Sequence, residues 1–178
     1  MGNRFKFLNI IKEYLSPDMV YSSVYEIDYD ILISKGIKNI LFDVDNTLVD
    51  RFSYNPEWKI KKLLRELKEK KMNVYLVTNT SKLKRIIRIS SFLEQSVFMK
   101  SFKPFPWIYK KLKLKYSLKE SDTVCVGDQL FTDILGAKLN NYLSIYVYPM
   151  GKEISFIRRM YIAFEQLILS RFILASKY

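Results

Sequence analysis

Two spacings of apolar residues alternate along this chain, and the alternation predicts a parallel α/β fold. Short apolar runs, typical of buried strands, are followed by segments with apolar residues every three or four positions, typical of helices. The predicted strands cover residues 37–43, 73–79, 97–102, 123–126 and 143–148. The predicted helices between them cover residues 56–71, 82–92, 107–116 and 130–140. We therefore expect right-handed crossovers and a doubly wound, Rossmann-like sheet in the order 3-2-1-4-5, with helices on both faces.

Both ends of the chain carry amphipathic helical patterns outside this core. Residues 5–15 have helical spacing, Ser16-Pro17 ends that helix, and residues 18–29 read as a second, short piece. From residue 153 onwards a long apolar stripe is interrupted by basic residues.

We expect a single domain over residues 1–178, with its core at about 37–150, an N-terminal helical extension at 1–30 and a C-terminal amphipathic helix at 153–175. The terminal helix could dock on the domain, pair with a second subunit, or lie in a membrane interface. The oligomeric state stays open.

Composition narrows the possible chemistry. The chain has no histidine, which excludes Ser-His-Asp and Cys-His catalysis and every His-ligated metal site. Thirty Lys and Arg against 18 Asp and Glu give a net charge of +12, which favours nucleic acid, an anionic lipid surface or a phosphorylated substrate. Cys125, the single cysteine, lies in an apolar run, so no disulfide forms within the chain, which fits a cytosolic protein. No apolar run is long enough for a membrane-spanning helix.

Polar side chains stand at the carboxyl ends of four predicted strands. In strand order they are Asp43 and Asp45, Thr78 and Asn79, Lys103, and Asp128 and Asp133. In the expected sheet the first and fourth strands flank the topological switch point where ligands bind, so their acids should meet in one crevice. Neighbouring carboxylates repel each other unless a cation lies between them or one is protonated, and Mg²⁺ is the usual oxygen-ligated cation.

A carboxylate, a hydroxyl, a lysine and an acidic pair around a metal ion are what in-line phosphoryl transfer requires. The first Asp can attack, while the metal and the lysine spread the charge of the transferring group. Taken singly, the supporting residues have ordinary alternatives: Thr78 as a strand-end hydroxyl, Lys103 as a solvated lysine, and Asp133 as a first-turn acid that favours the helix dipole. For Thr78 and Lys103 the common place at strand ends favours the catalytic interpretation, whereas both interpretations of Asp133 stay open.

The motifs DVDNTLV, LVTNT, FKP and GDQLFTD, which together span residues 40–133, resemble those of the haloacid dehalogenase-like phosphohydrolases. This resemblance implies that Asp43 is the nucleophile and forms an aspartyl-phosphate. It implies that Asp45 protonates the leaving alcohol and then activates water. Family members that cleave carbon–halogen bonds lack an acid at this second position, so Asp45 favours a phosphatase or a phosphomutase.

The same resemblance assigns expected roles to the remaining residues. Thr78 and Asn79 would hold the phosphoryl oxygens, and Lys103 would neutralise the intermediate. Asp128 would bind Mg²⁺ together with Asp43 and the backbone carbonyl of Asp45, and Asp133 would orient the ion or its waters.

The predicted core leaves no room for a cap domain, because one helix and one strand fill each segment between the motifs. An open site suits a large substrate such as a lipid headgroup, a protein or a nucleic-acid end. A capless core with flanking helices resembles the YqeG group, which is related to the mitochondrial and plastid phosphatidylglycerophosphate phosphatases.

The resemblance to that group implies a Mg²⁺-dependent phosphomonoesterase that converts phosphatidylglycerophosphate to phosphatidylglycerol. Such an enzyme would be cytoplasmic, with a possible peripheral contact on the inner face of the membrane and no specific nucleic-acid binding. Two alternatives stay open. The same chemistry could act on a nucleic-acid 3′-phosphate, or the fold could serve as a non-catalytic, basic module that binds membrane or RNA.

Overall fold

Six parallel strands form the central sheet of the computed structural model, which describes residues 13–151. The strands are β1 Met19–Tyr21, β2 Asn39–Asp43, β3 Asn73–Val77, β4 Val97–Phe98, β5 Thr123–Gly127 and β6 Leu143–Val147. The helices are α1 Tyr29–Ser34, α2 Trp58–Glu69, α3 Leu83–Leu93, α4 Trp107–Tyr116 and α5 Leu135–Lys138. A 3₁₀ turn at Glu120–Asp122 precedes β5, and a π-helical turn at Leu130–Ile134 precedes α5. The C-terminal helix predicted from residue 153 and most of the N-terminal helix lie outside the described residues.

The strand order is β1-β6-β5-β2-β3-β4, with every neighbouring pair parallel. The predicted order 3-2-1-4-5 is confirmed, because it corresponds to β4-β3-β2-β5-β6. The sheet also has a sixth strand that the sequence pattern did not reveal. β1 lies within the short piece predicted at residues 18–29 and pairs with β6 at the edge of the sheet. A three-residue strand is too short to show a period of its own.

Most predicted elements differ from the observed ones by one or two residues at an end, and two differ more substantially. The strand predicted at 97–102 is observed only over Val97–Phe98. The residues after it turn back towards the sheet, and the side chain of Lys103 is buried. The helix predicted at 130–140 is divided into the π-helical turn and the four-residue α5.

Buried side chains alternate between the two faces of β2, and this alternation sets the direction of its last residue. Ile40 and Phe42 belong to the core cluster that contains the buried residues of α2. Leu41 belongs to the second cluster, with the buried residues of α4. Because side chains of a strand alternate with period two, Asp43 follows Leu41 and points towards α4. Burial of each large aliphatic side chain stabilises the fold by roughly 1.5–3 kcal/mol. Because a shift of β2 by one residue would move these side chains out of the clusters in which they pack, the direction of the Asp43 side chain is strongly fixed.

Within residues 13–151 no further domain is inserted between the strands and helices of the core. Among these residues, none forms a cap over the site at the carboxyl edge of the sheet. None of the described helices combines the length and the apolar character needed to cross a bilayer.

The edge strand β1 is attached through a reciprocal contact between Asp18 and Ser144 of β6. Asp18 N–H donates to Ser144 O at 2.9 Å, and Ser144 N–H donates to Asp18 Oδ2 at 2.8 Å. The Ser144 hydroxyl donates to the same oxygen at 2.6 Å, and Lys138 pairs with the other carboxylate oxygen. Burial alone would raise the pKa of Asp18, but the hydrogen bonds from Lys138 and Ser144 outweigh it and lower that pKa.

We expect Asp18→Asn to lower the free energy of unfolding by roughly 1.5–3 kcal/mol near neutral pH, the range for hydrogen bonds to a charged group. A carboxyl whose pKa is lower in the folded state stabilises the fold above its unfolded value, close to 3.8. The difference between wild type and variant should therefore shrink as the pH falls below that value. Urea unfolding at neutral and acidic pH measures it.

Asp30→Asn is the matched control, because the Asp30 carboxylate is exposed and pairs with Lys70 at the surface. Exposed pairs contribute about 0–1 kcal/mol. An Asp18→Asn variant that is no less stable than Asp30→Asn would contradict the role given to the Asp18–Ser144 contact.

Candidate active site

The carboxyl ends of the central strands surround a crevice of about 310 Å³. Every residue that lines it is polar or charged, which suits a phosphate group better than an apolar ligand. The lining residues are Asp43, Asp45, Arg51, Thr78, Asn79, Thr80, Lys82, Lys103, Gln129 and Thr132. Five of the seven predicted site residues are therefore in its wall, and Asp128 and Asp133 lie buried behind it.

Three buried carboxylates form a cluster, and the ammonium group of Lys103 contacts two of them. One oxygen from each of Asp43, Asp128 and Asp133 lies within 4.8 Å of the others. Lys103 Nζ donates to Asp43 Oδ1 and to Asp133 Oδ1, each at 2.6 Å, and to Val77 O at 3.1 Å. Three ionised acids carry three negative charges, and Lys103 offsets one of them.

Burial dominates the ionisation of Asp43, whereas charge interactions dominate that of Lys103. Burial raises the pKa of Asp43 to about 7, even though Lys103 acts in the opposite direction. Burial also disfavours the charge on Lys103, but Asp133 and Asp43 outweigh that effect and raise the pKa of Lys103. The lysine is thus held as a cation between two acids.

The cluster fits a divalent cation. Asp43 Oδ2 is buried and has no hydrogen-bond partner among the described residues. A buried polar oxygen without a partner is costly, and a bound cation would satisfy it and supply the missing positive charge. Carboxylate oxygens are the ligands that hard cations prefer.

A glycine at the end of β5 allows Asp133 to enter the cluster. A Cβ at Gly127 would lie 2.3 Å from both Cγ and Oδ2 of Asp133. The chain then turns so that Gln129 N–H donates to Asp133 Oδ2 at 3.1 Å. Asp133 Oδ2 is thus held by the Gln129 N–H group, and Asp133 Oδ1 contacts Lys103.

Asp45 has a different environment from Asp43, although only one residue separates them. β2 ends at Asp43, and the Asp45 carboxylate is not part of the three-acid cluster. Its Oδ2 accepts a hydrogen bond from Thr78 Oγ1 at 2.5 Å, and its Oδ1 accepts one from Arg85 Nη1 at 2.6 Å. The carboxylate of Asp45 is therefore not among the candidate metal ligands. A contact between the backbone carbonyl of Asp45 and a metal ion stays a prediction.

Thr78 and Asn79 both lie in the crevice wall, but their side chains contact protein groups. The Thr78 hydroxyl binds Asp45, as described above. Asn79 Oδ1 accepts hydrogen bonds from Lys103 N–H at 2.7 Å and from the Ser101 hydroxyl at 2.8 Å, and Asn79 Nδ2 donates to Lys103 O at 3.0 Å. Asn79 thus holds the turn that carries Lys103, and phosphate binding by Thr78 and Asn79 stays a prediction.

Sequence reasoning missed Arg85, whose side chain is 1% exposed. Besides Asp45, it contacts two backbone carbonyls of the loop that follows β2: Nε donates to Ser53 O at 2.7 Å and Nη2 to Asp50 O at 3.0 Å. An arginine near the start of a helix ordinarily lies in solvent, so only its position beside the buried Ile86 could have hinted at burial.

Comparison with known proteins shows which family the chain belongs to. The model of the haloacid dehalogenase-like hydrolases matches residues 53–140. The chain is 31% identical over 161 residues to the "Probable phosphatase YqeG" of Bacillus subtilis (strain 168), covering 90% of this chain and 93% of that protein.

Solved structures share the fold at lower sequence identity. A hypothetical protein of Xanthomonas campestris is 22% identical with a TM-score of 0.52, covering 71% of this chain and 72% of that one. A candidate 3-deoxy-D-manno-octulosonate 8-phosphate phosphatase of Vibrio cholerae is 17% identical with a TM-score of 0.50, covering 70% and 83%. These structures show the fold, and the family model together with the match to YqeG shows that the chain belongs to the haloacid dehalogenase-like hydrolases, as a phosphatase of the YqeG type.

Proposed function

We propose that the protein is a Mg²⁺-dependent phosphomonoesterase that acts through an aspartyl-phosphate and converts phosphatidylglycerophosphate to phosphatidylglycerol. The observation that carries the chemistry is the environment of Asp43. Its carboxylate is buried beside Lys103 and two further acids, and one of its oxygens lacks a hydrogen-bond partner among the described residues. The lipid substrate rests on the resemblance to the YqeG group and on the features considered below.

In this mechanism the two acids at the end of β2 have separate tasks. Asp43 attacks the phosphorus, the ester P–O bond breaks, and Asp45 gives its proton to the leaving alkoxide. Asp45 then takes a proton from the water that hydrolyses the aspartyl-phosphate. Arg85 and Thr78 hold the Asp45 carboxylate in place for both proton transfers.

Lys103 and the remaining acids support these steps. Lys103 holds Asp43 in position and offsets the negative charge that gathers in the crevice. Asp43, Asp128 and the backbone carbonyl of Asp45 would hold the ion, and Asp133 would orient it or its waters. When bound, Mg²⁺ supplies positive charge to the phosphoryl oxygens.

Three features support a lipid substrate. The site has no cap within residues 13–151, so a headgroup still embedded in a bilayer could reach it. The net charge of +12 favours an anionic surface. Arg51 and Lys82 line the crevice and suit the second phosphate of a phosphodiester-containing headgroup. We place the protein in the cytoplasm, with peripheral contact on the inner face of the membrane.

We expect Asp43→Asn to lower turnover of phosphatidylglycerophosphate by about 10³-fold or more, because an amide cannot form the aspartyl-phosphate. Phosphate release in the presence of Mg²⁺ is the measurement, and Asp30→Asn, at an exposed carboxylate, is the control. Full turnover by Asp43→Asn would refute the mechanism. No turnover by wild type would refute the substrate.

The role of Asp45 predicts a dependence on the leaving group. A lipid alcohol needs a proton to depart, whereas p-nitrophenolate departs without one. In single-turnover measurements of alcohol release, Asp45→Asn should therefore slow the reaction of the lipid substrate by roughly 10²–10⁴-fold and that of p-nitrophenyl phosphate by much less. Hydrolysis of the aspartyl-phosphate, for which Asp45 activates water, should slow equally with both substrates. Equal losses in the rate of alcohol release would exclude Asp45 as the proton donor.

The three-acid cluster predicts that the stability of the protein depends on Mg²⁺. Mg²⁺ should raise the Tm of wild type, because the ion relieves repulsion among buried carboxylates. Asp128→Asn should remove this rise, because the variant loses one of the oxygen ligands. Glu69→Gln, at an exposed position of α2, is the control and should retain the rise. A wild-type Tm that is the same with Mg²⁺ and with chelator would contradict the metal site.

The net charge also suits a second substrate, the 3′-phosphate of a nucleic acid. Faster phosphate release from a 3′-phosphorylated oligonucleotide than from the lipid would favour it. A third possibility, a non-catalytic binding module, would be supported if Asp43→Asn and Asp45→Asn variants retained full activity in a complementation assay.

A further inference from the structure

Large apolar side chains stand exposed on the loops around the mouth of the crevice. Phe52 follows β2, Leu83 begins α3 after β3, and Phe102, Phe105 and Trp107 follow β4. These five side chains, which we call the apolar rim, are between 56% and 69% exposed. Because β2, β3 and β4 are parallel, the loops after them leave the same edge of the sheet.

Part of the apolar rim is adjacent in sequence to residues that line the crevice. Three of its members are sequence neighbours of cationic residues that line the crevice: Phe52 follows Arg51, Leu83 follows Lys82, and Phe102 precedes Lys103. The mouth of the site thus alternates between apolar side chains that face outwards and cationic side chains that face inwards.

The rim lies on loops that are held in place by hydrogen bonds. Phe52 N–H donates to Asp50 Oδ1 at 2.8 Å, and Arg85 binds the carbonyls of Asp50 and Ser53. On the other side of the crevice, Phe105 N–H donates to Phe102 O at 2.9 Å. The apolar side chains are therefore presented to solvent in the folded protein, and an exposed apolar patch of this kind marks an interaction surface.

The combination of residues fits a phospholipid bilayer. Aromatic side chains favour the headgroup level of a membrane, and each Lys or Arg near an anionic surface adds about 1 kcal/mol of attraction. A lipid substrate leaves a bilayer only at a cost of about 0.8 kcal/mol for each buried CH₂ group, so an enzyme for it must bring its site to the headgroup. A single strand of nucleic acid could stack on the aromatic rings, but it offers nothing apolar for Leu83 to enter.

We propose that the apolar rim is the surface through which this protein lies on an anionic phospholipid bilayer, with the crevice facing the headgroups. The proposal deepens the function proposed above and rests on it for the identity of the lipid that enters the crevice. It assigns orientation: the carboxyl edge of the sheet faces the membrane, and the opposite edge faces away.

Binding of the full-length protein to vesicles of phosphatidylglycerol and phosphatidylcholine, which contain no phosphomonoester, tests the surface. We expect wild type to co-sediment with these vesicles, and we expect the double variant Phe52→Ser/Trp107→Ser to bind at least about tenfold more weakly. That factor corresponds to the burial of about one large apolar side chain.

Leu114→Ser and Leu139→Ser are the matched controls. Both leucines are exposed, and they lie near the ends of α4 and α5, at the edge of the sheet opposite the crevice. We expect both controls to bind vesicles as wild type does. Controls that lose as much binding as the rim variant, a rim variant that binds like wild type, or a wild type that binds a single-stranded oligonucleotide but no vesicles would overturn the proposal.

Turnover of detergent-solubilised phosphatidylglycerophosphate separates this proposal from the function on which it rests. If vesicle binding depends on the apolar rim but the solubilised lipid is not turned over, the membrane-binding surface is supported and the proposed substrate is refuted. If the solubilised lipid is turned over but vesicle binding does not depend on the apolar rim, the substrate is supported and the membrane-binding surface is refuted.

A separate observation concerns the buried guanidinium of Arg85. One planar group binds the Asp45 carboxylate and two carbonyls of the loop after β2, so the direction of Asp45 is tied to that loop. The geometry points to Arg85 as a positioning residue for proton transfer by Asp45, and this inference rests on the proposed role of Asp45.

Arg85→Gln and Arg85→Lys test this role through the leaving group. A positioning residue predicts a loss of about 10²-fold in the single-turnover rate of alcohol release from the lipid substrate and a smaller loss with p-nitrophenyl phosphate, with partial rescue by lysine. A purely structural role predicts equal losses in that rate with both substrates.

A double-mutant cycle adds a second criterion that does not depend on the absolute activity. In an Asp45→Asn background, Arg85→Gln should cost little further turnover, because the group that it positions has already been removed. Additive losses would overturn the inference. Tm values for all variants identify any that fail to fold, and Arg85→Lys, which keeps the charge, then carries the test.

Discussion

The contact of Lys103 with the carboxylates of Asp43 and Asp133 is the constraint on which the rest of the site depends. These groups come from distant parts of the chain, and in a buried environment their like charges would repel each other strongly. Lys103 joins two of the acids at 2.6 Å each. Asp128 lies in the same cluster, so negative charge remains in excess, and that excess gives the site its fit to a cation. Repulsion among these carboxylates lowers the stability of the metal-free fold, and a cost of this kind is common at functional sites.

Around this contact, neighbouring groups hold each reactive residue in a separate environment. Asn79 fixes the turn that presents Lys103, and Arg85 with Thr78 fixes Asp45. Asp43 and Asp45 are close in sequence, yet one lies among acids and a lysine and the other lies between a guanidinium and a hydroxyl. Two carboxylates with different surroundings can divide the tasks of nucleophile and proton carrier.

Much of this organisation is readable from the sequence. Apolar runs with strand spacing, separated by helical segments, were sufficient to predict the five core strands and their order. The polar residues at strand ends then predicted one crevice, because the carboxyl ends of parallel strands share an edge of the sheet. The edge strand β1 was missed because three residues are too few to show a period, and the π-helical turn at Leu130–Ile134 was taken as the start of the helix that follows it.

The sequence by itself determined the strands, the helices and which residue types reach the crevice, because hydrophobic periodicity is a local property that a few consecutive residues encode. Only the tertiary structure decided which polar atoms meet. The burial of Arg85, the attachment of Asn79 to the Lys103 turn, and the gathering of exposed apolar side chains from three loops all depend on segments far apart in the chain. Nothing local distinguishes a buried arginine from a solvated one until the loop whose carbonyls it binds is in place.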